Sequence, residues 1–265
     1  MTAPEPRVAL VTGAARGIGA AVARRLAAEG WRQVLVDGCR DDPALHYPLA
    51  TPEELEATVD ACGADVTVGV RADVRDQQAL ERAVSQAVER FGGLDAVVAA
   101  AGAIVGGLGW EIADDAWHAM IGVNLEGVWR TIRAAVPTML RRPEPRCGRI
   151  VAVASAGGVR GLPRLAAYAA AKHGVIGLVR SLAAELAPAG ITVNAVAPGS
   201  TDTAMLRASA DIYGLSHPSE FGRHHLAPRL LDPDEVAAMV AWVCSVQATG
   251  VTGSVLPVDL GMTAR

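Results

Sequence analysis

Thr12-Gly13-Ala14-Ala15-Arg16-Gly17-Ile18-Gly19 is the stretch on which the fold of this chain turns. It directly follows an apolar run at residues 7–12 and opens an alanine-rich stretch, residues 20–29, with helical patterning. A strand, a glycine turn and a helix in that order begin a parallel β–α–β unit. The glycines permit a tight turn and close approach of the backbone to a ligand, and the helix N-terminus stabilises an anion placed there. Asp37 follows 18 residues after Gly19, at the end of the next apolar run. A carboxylate at that point accepts hydrogen bonds from a ribose.

The alternation continues to the end of the chain. Runs at residues 7–12, 33–37, 66–72, 96–100, 149–154, 192–197 and 255–258 read as strands. Residues 20–29, 77–91, 125–140 and 167–186 read as helices. Thr51-Pro52-Glu53-Glu54 and Asp232-Pro233-Asp234-Glu235 start two more, each with a capping side chain, a proline at the first helical position and a glutamate at the third. The pattern predicts an α/β fold, a single-domain Rossmann-type doubly wound parallel sheet of about seven strands over residues 1–265. Two connections exceed the roughly 2–6 residues usual between strand and helix. One is an insertion at 38–51, and the other, 203–229, reads as a loop that forms a substrate lid.

Composition narrows the function. Apolar residues make up 51% of the chain, ample for a core, and the net charge of −4 suggests neither nucleic acid nor an anionic membrane as partner. Cys39, Cys62, Cys147 and Cys244 are scattered without a paired spacing, so neither a disulfide framework nor a zinc site is expected. His224-His225 is an adjacent pair whose side chains diverge, a loop feature rather than a metal site. The segment MTAPEPR lacks the apolar core of a secretory signal, and the uncharged run 96–110 is too short and glycine-rich to span a bilayer. A cytoplasmic protein is expected.

Lys172 is the single lysine among 24 basic residues, four positions after Tyr168. Positions i and i+4 share a helix face, so phenol and ammonium can approach each other. Ser155, 13 residues before Tyr168, sits at the carboxyl end of the fifth strand, where open α/β sheets place ligands. Serine and tyrosine can therefore converge on one substrate oxygen. Asn124 is placed at the start of the helix after the fourth strand. Asp73 and Val74, at the end of the third strand, can hydrogen-bond an adenine amine.

Together these residues resemble the short-chain dehydrogenase/reductase family of the classical type. The matches are the glycine run at 12–19, Asp73-Val74, Asn124, Ser155, Tyr168 with Lys172, and Asn194-Ala-Val-Ala-Pro198-Gly199. They appear in the family's order over residues 7–261. The resemblance implies an NAD-dependent oxidoreductase in which Tyr168 exchanges a proton with the substrate oxygen. A free phenol has a pKa of about 10, which the Lys172 ammonium would lower. Ser155 would orient the oxygen and Asn124 would anchor a water relay. Gly13, Arg16, Gly17, Ile18, Gly19, Asp37, Asp73, Val74, Ala101, Gly102, Tyr168, Lys172, Pro198, Gly199, Thr201 and Thr203 would hold the cofactor. Asp37 repels a 2′-phosphate, so NAD is expected over NADP, although Arg16 and Arg40 could each pair with such a phosphate. The resemblance also implies a homotetramer packed through the helices at 125–140 and 167–186. One motif departs from the family, because Ala99-Ala100-Ala101-Gly102 replaces the usual Asn-Asn-Ala-Gly and lacks the asparagines that usually brace the sheet there.

Within the insertion, His46-Tyr47-Pro48-Leu49-Ala50-Thr51-Pro52-Glu53 is similar to the segment found in the mycofactocin-coupled branch of the family. That similarity implies a nicotinoprotein, with NAD retained and reoxidised in place through mycofactocin. Val105, Trp110, Gly157, Leu162, Met205, Leu206 and Tyr213 are expected to line an apolar substrate pocket. It suits a hydrophobic secondary alcohol of terpenoid or alicyclic type and the corresponding ketone. The same site with freely exchanging NAD(P) would serve a 3-oxoacyl or hydroxysteroid reductase. A non-catalytic dinucleotide-binding protein is the reading that intact Ser155, Tyr168 and Lys172 oppose.

Overall fold

The computed structural model describes residues 6–264, so most of the MTAPEPR segment lies outside the described residues. Seven parallel strands form one sheet, β1 (Val8–Thr12), β2 (Arg32–Asp37), β3 (Thr67–Arg71), β4 (Ala96–Ala99), β5 (Gly148–Val153), β6 (Ile191–Pro198) and β7 (Val255–Val258). Their order is β3-β2-β1-β4-β5-β6-β7, which reverses direction between β1 and β4. That reversal opens the crevice where such sheets bind ligands.

Alternate strand residues feed opposite faces. Leu10, Val34, Val97, Ile150 and Val193 pack against α3 (Gln77–Phe91), α5 (Gly127–Leu140) and α6 (Ala166–Leu186). Ala9, Leu35, Val98, Val151 and Val196 pack against α1 (Gly17–Ala28), α2 (Pro52–Cys62) and α8 (Pro233–Cys244). Both predicted capping boxes are present, Thr51 with Glu54 and Asp232 with Glu235. Among the described residues, no helix is long and apolar enough to cross a membrane.

Three elements differ from expectation. A helix that the sequence reading left unassigned, α4 (Asp114–Ile121), carries Asp114 and Asp115 in its first turn, where acidic side chains favour the helix dipole. A π-helical turn, Gly122–Glu126, joins it to α5, so Asn124 lies inside a continuous helical path rather than at a helix start. The stretch 203–229 is not a plain loop but contains α7 (Ala204–Tyr213) and a 3-10 turn, Pro218–His224. Thr203 caps α7 by accepting a hydrogen bond from the Leu206 amide, and Gly214 closes it at φ +63°.

Candidate active site

Every residue expected at the cofactor, from Gly13 to Thr203, borders one cavity of about 750 Å³ at the carboxyl end of the sheet. Its floor is the glycine turn. A Cβ on Gly13 would lie 2.7 Å from the Ala101 Cα, and one on Gly19 would collide with the Gly13 carbonyl oxygen. Gly13 and Gly17 also take φ values of +68° and +58°, which side-chain-bearing residues rarely adopt. Such a cradle leaves backbone amides and the α1 N-terminus facing the cavity, as a pyrophosphate requires.

Opposite the turn, the missing asparagines are replaced by other braces. Thr12 Oγ1 accepts from the amides of Ala100 and Ala101 at 3.2 and 3.3 Å. Asn124, fully buried, donates through Nδ2 to the carbonyls of Ala103 and Met120 and accepts the Ala103 amide on Oδ1. Its side chain clamps the strand exit from behind the cavity rather than lining it.

At the adenosine end, Asp37 accepts the amides of Ala15 and Cys39, at 3.0 and 3.2 Å, which aims its carboxylate across the turn. Both arginines that could pair with a 2′-phosphate are engaged elsewhere. Arg16 donates to the Pro48 carbonyl at 2.7 Å and lies 3.9 Å from Glu54, while Arg40 lies 3.6 Å from Asp73. Arg75 bridges Asp73 and Asp42 at 2.6 and 2.7 Å. Burial would raise the Asp73 carboxyl, but Arg75 and Arg40 bring it below its ordinary value. The residues present therefore fit a dinucleotide with free ribose hydroxyls better than one with a phosphate.

The insertion is part of the wall. Tyr47 Oη accepts the Ile104 amide at 3.1 Å, and Leu45 is buried with Ile104, Met120, Leu165 and Tyr168. Arg16 grips the insertion from the glycine turn through Pro48. This small cluster is separate from the two that flank the sheet, and Met205 and Tyr213 of α7 also pack against it.

Ser155, Tyr168 and Lys172 meet where the cavity passes from the glycine turn to α7. Ser155 Oγ accepts the Gly157 amide at 3.0 Å, which holds the hydroxyl and leaves its proton to donate. Lys172 Nζ donates to the Val153 carbonyl at 2.8 Å and stands 5.8 Å from the Tyr168 ring centre. Burial raises the Tyr168 phenol above its ordinary value, with the Ser155 hydroxyl acting in the opposite direction. Burial also lowers the Lys172 ammonium to about 8. Each group is thus pushed toward neutrality, and a phenolate–ammonium pair or a further charge in the cavity would draw both back.

The expected substrate residues divide. Leu162, Met205, Leu206 and Tyr213 line the cavity. Trp110 does not, standing 81% exposed on a glycine-rich turn before α4. Val105 is buried behind the wall, and Gly157 lies beneath Ser155, where a Cβ would meet Leu162 and Tyr168. Sequence spacing brought these three near the site but could not say which way each faces.

His225, read from sequence as a loop feature, is 1% exposed. Its Nε2 accepts the Ser200 amide at 3.1 Å, and its Nδ1 lies 2.6 Å from the Arg229 carbonyl, so the tautomer protonated on Nδ1 satisfies both. The imidazole ties the segment after α7 to the Pro198–Thr201 strand end. No local sequence signal marks it, since its partners lie on both sides of a turn and a strand.

A sequence family described as Enoyl-(Acyl carrier protein) reductase matches residues 13–263. A (-)-trans-carveol dehydrogenase of Rhodococcus erythropolis is 39% identical over 281 residues, covering 100% of both chains. An NAD-dependent oxidoreductase of Mycobacterium tuberculosis (strain CDC 1551 / Oshkosh) is 41% identical over 96% of this chain and 95% of its own. Among solved structures, carveol dehydrogenase from Mycobacterium avium in complex with NAD superposes with a TM-score of 0.92 at 38% identity, covering 98% of this chain and 99% of that one.

Proposed function

The chain belongs to the classical short-chain dehydrogenase/reductase family and is an NAD-dependent alcohol dehydrogenase of it, and we propose that it interconverts a hydrophobic secondary alcohol, terpenoid or alicyclic, and its ketone. One observation carries this reading. A single cavity joins the glycine cradle and Asp37 to Ser155, Tyr168 and Lys172, and then to the apolar side chains of Leu162, Met205 and Leu206.

In this reading, bound NAD supplies the hydride acceptor. Tyr168 Oη takes the proton of the substrate hydroxyl as hydride leaves the carbinol carbon. The Ser155 hydroxyl donates to the same oxygen and stabilises the charge that develops on it. Lys172, whose ammonium donates to the Val153 carbonyl and stands 5.8 Å from the Tyr168 ring centre, would favour the phenolate. Asn124 keeps the strand exit beside Gly102 in place. Pro198, Gly199, Thr201 and Thr203, which border the same cavity, would hold the carboxamide end of the cofactor. The chain acts as one domain with two added parts, the insertion 38–51 over the cofactor and 203–229 over the substrate.

The reading extends to cofactor retention and to the mycofactocin-coupled branch. The insertion closes the cavity wall through Tyr47, Leu45 and the Arg16–Pro48 contact, so release requires breaking several contacts at once. The test is to purify the protein without nucleotide, denature it and assay the released fraction for NAD. Near-stoichiometric NAD, with alcohol oxidation that needs an artificial acceptor rather than added NAD, supports retention. An empty protein that turns over only with free NAD returns the chain to the ordinary, exchanging type of dehydrogenase.

A further inference from the structure

The arginines around the cavity fall into two sets. On the insertion side, Arg16, Arg40 and Arg75 each face a carboxylate, Glu54, Asp73, or Asp73 with Asp42. On the α7 side the wall carries Arg160, Arg164, Arg223 and His224, and no acidic residue of the described chain lines the cavity there. Arg160 Nη1 donates to the Met262 carbonyl at 2.9 Å and Arg164 Nη1 to the Ile212 carbonyl at 3.2 Å. Among the described residues neither forms an ion pair, whereas Arg223 is paired with Glu220 at 3.8 Å. Backbone carbonyls position the first two guanidinium groups without neutralising them, which leaves most of their donors available.

The backbone keeps this rim in place. Arg164 takes φ +63°, an uncommon conformation for a residue with a side chain. Its carbonyl accepts the Gly107 amide at 2.9 Å, and the neighbouring Pro163 carbonyl accepts the Tyr213 hydroxyl at 2.6 Å. The turn is therefore tied to both α7 and the strand exit, with strain held at the cavity mouth. Between the rim and Tyr168 the wall is apolar, with Leu162, Met205, Leu215 and Phe221.

We propose that Arg160 and Arg164 form a binding site for an anionic group, carboxylate or phosphate, on the end of the substrate remote from the carbinol carbon. This rests on the reading of the site as an alcohol dehydrogenase and narrows its substrate to an amphiphilic alcohol, apolar in the middle and anionic at one end. Guanidinium groups recognise both anions through paired hydrogen bonds, and at an exposed mouth their attraction is weakened by salt.

The experiment compares three cyclohexanols with a side chain at C4, ending in a propionate, its methyl ester or a phosphate monoester. Each is oxidised by the NAD-loaded protein with an artificial acceptor. The expected result is a kcat/KM for at least one anion about tenfold above that for the ester. The preference should shrink toward unity in the Arg160→Gln/Arg164→Gln variant and as salt is raised on the unaltered protein. The better anion identifies the group. Equal use of ester and anions, or a preference that neither salt nor the variant changes, overturns the proposal. Calorimetric binding of the propionate to the NAD-loaded protein separates the two readings. Binding that the double variant weakens, without turnover of any alcohol, keeps the anion site and sinks the oxidation. Turnover of the ester without added affinity for either anion does the reverse.

Discussion

Tyr168 and Lys172 are each buried against the charge that the proposed chemistry uses. Removing the phenolic oxygen tests the first. Tyr168→Phe is expected to lower kcat by roughly 10²–10⁴-fold, the usual contribution of a positioned acid–base group, while NAD content stays near that of the unaltered protein. Unchanged alcohol oxidation would end the assignment. Lys172 yields a stability prediction with a definite sign. Its pKa in the fold is about 8 against 10.5 for an ordinary lysine, so between those values the unfolded chain binds more protons. Stability of the cofactor-free protein therefore rises with pH across that window and carries the full cost of the buried ammonium below it. Lys172→Met should stabilise the cofactor-free protein at neutral pH by roughly 1–3 kcal/mol, allowing for the lost bond to Val153. Urea unfolding at pH 7 and near pH 10 checks this, since the gain should shrink at the higher pH.

At the scale of elements, the additions to the sheet are held by several contacts, and individual polar ones can be removed one at a time. The insertion meets the strand exit through Tyr47 Oη and the Ile104 amide. Tyr47→Phe keeps the apolar ring and removes that acceptor, so NAD dissociation is expected to speed up by roughly fivefold, the equivalent of one hydrogen bond. Stopped-flow displacement by an NAD analogue reads it, and an unchanged rate would show that Tyr47 does not hold the cover closed. The segment after α7 is tied by His225 to the amide of Ser200 and the carbonyl of Arg229. His225→Leu leaves the buried Ser200 amide and the part-buried Arg229 carbonyl without this partner and should cost roughly 1–3 kcal/mol. Thermal unfolding measures that cost. A rise in KM for alcohol beyond any change in kcat would show that the tie also shapes the substrate end.

At the scale of the whole molecule, the homotetramer that the family resemblance implies, packed through α5 and α6, predicts a mass of four chains by light scattering. Trp129 on α5 is 40% exposed with Arg130 and Arg133 over its ring, so Trp129→Glu should shift the mass downward if that face is covered. The sequence by itself determined the sheet, because alternating apolar runs and capping residues such as Thr51 and Asp232 act within a few positions of one another. It also placed Gly13, Asp37, Ser155, Tyr168 and Lys172 at one end of the sheet, where they border the cavity, because their spacing follows from the ends of strands and one helix face. It did not reveal α4 or α7, whose short amphipathic stretches lay inside segments rich in glycine and turn formers. Only the tertiary structure decided that Asn124 and Thr12 brace the exit of β4, that Trp110 faces outward, and that His225 is buried. It alone separated the paired arginines beside the insertion from the unneutralised ones beside α7. The physical reason is the same for each. Their partners lie far away in sequence, and direction, burial and charge pairing between distant segments exist only once the chain has folded around the cavity.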